Sequence, residues 1–160
     1  MGREVRLVPS NWEHPKENGQ YKPLFGSTYE EEIQDWRDEK RKWDSGIYPE
    51  WASEKDKKLS YNEWAGNAPN PKNYMPQFKT EEKTHFMMYE TTSEGTPISP
   101  AFETKEELAR WLSDNGASAF AGMKATYDQW LSTINRGFAC SAVISNGELK
   151  SGVARLVGQD

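Results

Sequence analysis

The sequence predicts an α+β fold, a small, mostly antiparallel sheet with about three helices packed on one side. Three capping-box patterns, in which a Thr is followed three residues later by Glu or Gln, each lead into an apolar stripe at helical spacing. Short apolar-rich runs with strand character lie between and after them. Asn146-Gly147 separates two such runs and is the strongest short hairpin signal in the chain. This mixture is typical of an α+β domain.

The first element is the alternating segment REVRLVP, which predicts a short strand with Val5 and Leu7 on one face. Pro9 ends it. Since proline cannot donate a hydrogen bond to a strand ladder, we expect this strand at an edge of the sheet. The next segment, SNWEHPKENGQYKPLFG, contains Asn-Gly and two X-Pro steps and is expected to be a loop.

The first helix is predicted to begin at the Thr28–Glu31 capping box and to end at Gly46. The mixed charges between Glu30 and Asp44 are typical of a solvated helix face. Four apolar residues fall near the opposite face and are expected in the core, namely Tyr29, Ile33, Trp36 and Trp43.

The proline-rich segment YPEWASEKDKKLSYNEWAGNAPNPKNYMPQF follows. We expect a short helix from Tyr61 to Ala65 within it. The stretch from Gly66 to Pro76 is expected to be an ordered loop, because its aromatic neighbours must find burial. Loops of this length in compact domains are usually functional or disordered, and the rings favour an ordered one.

In the second half, Thr84–Glu90 is predicted to be a strand, followed by a turn at TSEGT. Ile98–Phe102 is predicted to be the return strand. Pro97 and Pro100 remove two backbone donors, so this strand is expected at an edge or with a bulge.

Two further helices are predicted, one from Thr104 to Asn115-Gly116 and one from Thr126 to Gly137. The segment ASAFAGM between them is expected to form one or two helical turns. After the final hairpin, Ser151 and Gly152 are expected to cap a terminal helical turn that runs to Val157.

The 160 residues are predicted to form a single domain. Aromatic residues outnumber Ile, Leu and Val in residues 1–79, which are expected to be a helix with long ordered loops, a layer pinned by rings. The balance reverses in residues 80–160, where the better-formed core is expected. Seven Trp, seven Tyr and six Phe argue against disorder, because disordered segments are poor in aromatics.

The formal net charge of -5 disfavours direct nucleic-acid binding, which depends on Lys and Arg to neutralise phosphates. No apolar run has the length of a membrane span or of a signal-peptide core, so we expect a cytoplasmic protein that does not enter the membrane. The single cysteine, Cys140, excludes an internal disulfide and is expected to be a buried structural thiol. With His14 and His85 it cannot form a four-ligand zinc site, and neither a metal nor another cofactor is expected.

The common motifs of nucleotide, hydrolase and metalloprotease sites, such as G-x-x-x-x-G-K-[ST], G-x-S-x-G and H-E-x-x-H, do not occur. No catalytic residue is therefore assigned, and a protein that acts by binding is favoured over an enzyme.

Three segments carry candidate binding residues. In YETTSEGTPISPAF, hydroxyls and acids crowd around Gly95; they could bind an anion or bond only their own backbone. In WEHP, a ring and an imidazole could contact a ligand, although a hydrogen-bonding role within the loop is favoured for His14. WAGNAPNPKNYMP has the composition of a recognition surface but could equally fold onto the sheet. The candidate residues are Trp12, His14, Glu90, Thr92, Ser93, Glu94, Thr96, Ser99, Trp64, Asn67 and Tyr74.

The strings GREVRLVPSNWEHP, YEEEIQDW, EGTPISPAF…EELARWL and GFACSAVISNG…SGV follow one another along most of the chain. In this pattern the chain resembles a family of small proteins of tailed phages and bacterial mobile elements. The resemblance implies a context, an accessory gene of a phage or mobile element. It transfers neither a fold nor a catalytic residue.

Three functions stay open. The leading hypothesis is a non-enzymatic inhibitor of a host defence complex, such as an anti-CRISPR or anti-restriction factor, with a host protein or protein–nucleic-acid complex as its partner. The first alternative is a small enzyme or sequestering protein for a nucleotide-like ligand, with its site at Trp12, His14 and the Thr91–Ser99 turn. The second is a virion or assembly component. A homodimer also stays open.

Overall fold

The computed structural model describes residues 2–26, 29–91, 95–139, 142–145 and 148–155, and it confirms the α+β class. The strands are β1 (Arg3–Val8), β2 (Lys16–Glu17), β3 (Gln20–Tyr21), β4 (His85–Glu90), β5 (Phe138–Ala139), β6 (Ala142–Ser145) and β7 (Glu148–Ser151). The helices are α1 (Tyr29–Asp44), α2 (Tyr61–Ala65), α3 (Lys105–Asp114), α4 (Tyr127–Arg136) and α5 (Gly152–Arg155).

The chain divides into two compact units. Unit 1 consists of Met1–Gly26 and Pro76–Asp160, and unit 2 consists of Ser27–Met75. These bounds differ from the two halves suggested by composition, because β1 near the start of the chain pairs with β4 in the second half. Of the three longer helices, α3 and α4 belong to unit 1 and α1 to unit 2.

Strand β1 lies at the centre of the three-stranded sheet of unit 1, whose order is β4-β1-β5. It pairs antiparallel with both neighbours, and Val5 stands opposite Met88. The predicted edge position of β1 is therefore wrong. Pro9 follows Val8, the last residue of the strand, so its missing N–H removes no bond from either ladder.

One face of this sheet carries the hydrophobic core. Met88 and Val5 project to this face and pack with helices α3 and α4, whose Leu108, Leu112 and Trp130 are fully buried. Because side chains alternate along a strand, Arg6, Met87 and Tyr89 project to the opposite face. That second face is contacted by residues 9–26, here called the arm.

The predicted caps position the two helices of the core. The Thr104 hydroxyl accepts a bond from the Glu107 N–H at 3.1 Å at the start of α3. At the start of α4, Thr126 and Gln129 form the complete capping box, with bonds of 3.2 and 2.9 Å. Gly137 ends α4 in the left-handed conformation at φ 94°, as predicted.

The return segment after Gly95 is not the strand that was predicted over Ile98–Phe102. Its backbone forms isolated bridges with β4 instead of a continuous ladder, and the pairing shifts by two residues between these bridges. Ile98 N–H donates to Met88 O at 2.9 Å, whereas Phe102 N–H donates to Phe86 O at 2.8 Å. The two extra residues form a bulge, in keeping with the expected disruption by proline.

The predicted helical turn at ASAFAGM is also wrong. Ala121 and Gly122 both have positive φ, 47° and 85°, and Phe120 bridges Met123. Two consecutive left-handed residues make a tight reversal and are incompatible with a right-handed helix.

The final hairpin is confirmed, because β6 and β7 pair antiparallel with Ser145 opposite Glu148. Its turn, Asn146-Gly147, lies outside the described residues, as does Cys140. Helix α5 begins where expected, and the Ser151 hydroxyl accepts a bond from the Ala154 N–H at 3.0 Å. The expected end of this turn at Val157 lies outside the described part.

Unit 2 is built around aromatic rings. The buried Trp43 of α1 stacks on Trp64 of α2 with ring centroids 4.4 Å apart, and its indole N–H donates to Leu59 O at 2.9 Å. Tyr48 and Tyr61 meet the Trp43 ring edge to face. Helix α1 ends at Asp44, and Gly46, the predicted terminator, follows in the turn with φ 81°. The predicted cap, Thr28, lies outside the described residues. Its charged face carries exposed ion pairs, as expected.

Candidate functional site

The arm is tied to the second face of the sheet by a chain of hydrogen bonds at Tyr89. The Trp12 indole N–H donates to the Tyr89 hydroxyl at 3.0 Å, and His14 Nδ1 lies 2.9 Å from the same oxygen. His14 Nε2 lies 2.5 Å from the carbonyl oxygen of Lys22. Tyr89 is fully buried and His14 is 6% exposed, so the arm is pinned through groups shielded from water.

The partners fix the direction of every bond in this chain. A carbonyl oxygen can only accept, so His14 carries its proton on Nε2 and donates it to Lys22. Nδ1 is then an acceptor, and the Tyr89 hydroxyl donates to it while accepting from Trp12. Burial raises the pKa of Tyr89, so the phenol keeps the proton that this arrangement needs. The four residues joined by these bonds, Trp12, Tyr89, His14 and Lys22, are here called the Tyr89 relay.

The buried side chain of Arg6 contacts the ring of Tyr89. The Arg6 guanidinium lies 4.3 Å from the centre of the Tyr89 ring, a cation–π contact. It donates to Leu24 O at 2.9 Å and pairs with Glu4 at 2.7 Å. Arg6 therefore holds both the ring of Tyr89 and the far end of the arm.

Beside the relay the arm forms an open cleft of about 770 Å³, here called the arm cleft. Trp12 and Tyr21 contribute aromatic rings, Met87 of β4 is a buried apolar group, and Lys16 and Glu13 contribute opposite charges. The remaining lining comes from Ser10, His14, Pro15, Pro100 and Ala101. Its volume falls within the usual range for small-molecule sites.

Strands β2 and β3 form a small hairpin that contributes to this cleft. Lys16 stands opposite Tyr21 in the ladder, and its ammonium lies 5.0 Å from the centre of the Tyr21 ring. The turn between the strands uses Asn18 and Gly19 with φ of 54° and 80°, the conformation that Asn-Gly favours. Lys16 is therefore presented at the cleft by local backbone geometry.

In the described part of the Thr91–Ser99 turn, the hydroxyls of Thr96 and Ser99 form hydrogen bonds within the fold. The Ser99 hydroxyl accepts from the Met88 N–H at 2.9 Å and donates to Pro100 O at 2.8 Å. The Thr96 hydroxyl donates to Glu90 at 3.2 Å. Ser99 thus fills the ladder position that the bulge leaves empty, which is a structural role.

Glu90 also contacts a second buried arginine, with Arg3 Nη2 3.8 Å from its Oε1. Burial lowers the pKa of Arg3, and the nearby Glu90 charge opposes that shift. Thr92, Ser93 and Glu94, the remaining candidates of this turn, lie outside the described residues.

The three remaining candidates belong to unit 2, whereas the cleft belongs to unit 1. Trp64 stacks within the aromatic core on Trp43. Tyr74 meets the ring of Tyr29 edge to face at 5.7 Å, and burial raises its pKa. Asn67 is exposed.

Of the cleft residues, Trp12 and His14 were candidates from the sequence, whereas Glu13, Lys16 and Tyr21 were not. The Asn18-Gly19 step was a usable signal, because a hairpin there places Lys16 and Tyr21 opposite each other. The part played by Tyr89 had no local signal, since its partners on the arm are 75 and 77 residues away.

Comparison with protein-family models, with curated proteins and with solved structures finds no match. In the described ranges, His, Cys, Asp and Glu do not cluster as a metal site would require. The helices in these ranges are all too short or too polar to cross a membrane.

We expect the free energy of unfolding to fall as the pH is lowered from about 7 to about 5. Burial lowers the pKa of His14, the bond to Lys22 opposes this, and the charge of Arg6 adds to the lowering. In the unfolded chain His14 takes up a proton near the ordinary pKa of about 6.5, while in the folded chain its imidazole stays neutral at that pH. The contribution of neutral His14 to the free energy of unfolding is therefore fully present above about pH 6.5, and it is lost as the pH falls toward the lowered pKa of His14.

Denaturant titrations of the wild type and of His14→Gln across this range measure the effect. Gln is neutral at every pH, so the variant should show a flatter dependence. Equal slopes in the two proteins would contradict a buried, neutral imidazole.

Proposed function

We propose that the protein is an accessory protein of a phage or mobile element and acts by binding, as a non-enzymatic inhibitor of a host defence complex. The observation that carries this proposal is the loop after α1 in unit 2. There Trp51 is 80% exposed and Ile47 is 63% exposed. Aromatic residues are enriched at protein–protein interfaces and charged residues are depleted at their centres, so an exposed Trp beside an exposed Ile fits a surface that a protein partner covers.

This loop is held in place from within. Between the two exposed residues, Tyr48 packs on Trp43 at 4.7 Å, and the buried Ala52 follows directly after Trp51. Ala52 N–H also donates to Pro49 O at 3.1 Å, which closes the turn. An aromatic residue on a pre-ordered loop loses little conformational entropy on binding, and Trp is enriched among residues that dominate interface energies.

The sequence resemblance to proteins of phages and mobile elements supports a host complex as the partner. The net charge of -5 favours contact with a protein, or with the protein part of a nucleoprotein complex, over contact with bare nucleic acid. CRISPR and restriction complexes are the partners that we propose.

The test is a plating assay on paired host strains that carry or lack one defence system. We expect expression of the wild-type protein to raise phage plating on a defended strain toward that on its undefended partner. Trp51→Ala should lower this relief at least tenfold, because truncation of an interface Trp commonly costs about 2 kcal/mol or more. Phe138→Ala, which truncates a ring 57% exposed in unit 1, is the matched control and should retain the relief.

The two parts of the proposal fail separately. No relief on any strain of a panel that spans CRISPR and restriction systems would overturn the inhibitor function. Relief that is equal for wild type and Trp51→Ala would overturn the assignment of the loop as the contact surface.

A further inference from the structure

We propose that the arm cleft binds a planar aromatic ring that carries an anionic group, the chemistry of a nucleoside monophosphate. This site belongs to unit 1, whereas the Trp51 loop belongs to unit 2. It differs from the site expected from the sequence, because the hydroxyls of Thr96 and Ser99 are engaged within the fold and His14 is engaged in the Tyr89 relay.

Trp12 and His14 line the cleft, but their polar atoms are already hydrogen-bonded within the Tyr89 relay. Both nitrogens of His14 and the indole N–H of Trp12 are engaged in the Tyr89 relay. These residues can therefore offer a ligand their ring surfaces, and Met87 adds an apolar group to the lining of the cleft. A flat, apolar ring is the ligand group that such a surface accommodates best.

The charge for an anionic group comes from Lys16. It is the one cation among the residues that line the cleft, and in the described structure its ammonium faces the Tyr21 ring without a carboxylate partner. An ammonium next to an aromatic ring can move a short distance to a phosphate and gain a charge-assisted hydrogen bond. Glu13 supplies an acceptor for an amino or hydroxyl group of the same ligand.

The β2–β3 hairpin places Lys16 where its ammonium and an aromatic ring of the cleft can contact the same ligand. The β2–β3 ladder keeps Lys16 opposite Tyr21, and Tyr21 meets His14 edge to face at 5.6 Å. The ammonium is thus held close to an aromatic wall of the cleft. A ligand that carries both a ring and an anion can contact the aromatic wall and the ammonium at the same time, which neither a free anion nor a bare ring can do.

Calorimetric titration with adenosine monophosphate, adenosine and inorganic phosphate tests the proposal, and the other three nucleoside monophosphates extend it. We expect the monophosphate to bind more tightly than adenosine, and phosphate alone to give no signal. Lys16→Gln should weaken the monophosphate about tenfold and leave adenosine unchanged, since it removes one charge-assisted hydrogen bond. Lys83→Gln, at an exposed lysine of unit 1 that is not among the cleft-lining residues, should change the affinity for neither ligand.

An NMR titration with the same ligand locates the site, and we expect the Trp12 indole N–H and the Lys16 amide to shift. The proposal is overturned if none of the monophosphates binds up to about 1 mM, a free energy of about -4 kcal/mol. It is also overturned if Lys16→Gln and Lys83→Gln bind the monophosphate equally, or if the shifts map away from the cleft. Circular dichroism of both variants confirms that the fold is retained.

Discussion

Replacing Trp43 with alanine should lower the free energy of unfolding by about 3–5 kcal/mol, the range for truncation of a buried Trp or Phe. Trp43 is 5% exposed, and its ring contacts Tyr48, Tyr61 and Trp64. Its indole N–H bonds to Leu59 O, so the substitution removes a hydrogen bond together with the packing. Few aliphatic side chains are available in unit 2 to replace this ring, which explains why the effect should be large.

Trp51→Ala is the matched control, because it makes the same chemical change eight positions further along the chain. Trp51 is 80% exposed, and surface substitutions usually change stability by no more than about 0.5 kcal/mol. Urea titrations followed by far-UV circular dichroism measure both values. A loss below about 1 kcal/mol for Trp43→Ala, or similar losses for the two variants, would contradict the aromatic core of unit 2.

Tyr89→Phe should lower the free energy of unfolding by about 1–3 kcal/mol at neutral pH. The ring and its contact with Arg6 are retained, but the hydroxyl that joins Trp12 to His14 is lost. His14 cannot compensate by moving its proton, since Nε2 must donate to Lys22. Nδ1 is then left as a buried acceptor without a donor, and such groups carry the full desolvation cost.

Tyr21→Phe removes the same atom from a ring that is 44% exposed and serves as the control. It should change the stability by no more than about 0.5 kcal/mol, because water can replace any bond of an exposed hydroxyl. Thermal or urea unfolding of both variants gives the comparison. Equal, small effects would mean that the Tyr89 relay does not hold the arm.

The sequence predicted the local parts of this fold well. Thr104 and Thr126 each cap a helix because their hydroxyls bond residues three positions away, and such contacts can be read from spacing alone. Gly46 and Gly137 end helices for an equally local reason, since both have positive φ.

The parts that were wrong or missed depend on distant residues. Pro9 suggested an edge strand, but the position of β1 was decided by pairing with β4 and β5, far along the chain. The strand predicted over Ile98–Phe102 does not form, and the Ser99 hydroxyl, rather than a backbone carbonyl, accepts the Met88 N–H. The same holds for the candidate site, where Trp12 and His14 were found by composition but their shared partner, Tyr89, comes from another strand.

We propose that the protein acts by binding a host defence complex through the Trp51 loop. Photo-crosslinking in infected, defended cells tests it most directly, with a photoreactive amino acid placed at position 51 and, as control, at position 138. We expect a crosslink from position 51 to a subunit of the defence complex and none from position 138. Crosslinks from the two positions to the same proteins, or an absence of defence subunits among the products of position 51, would contradict it.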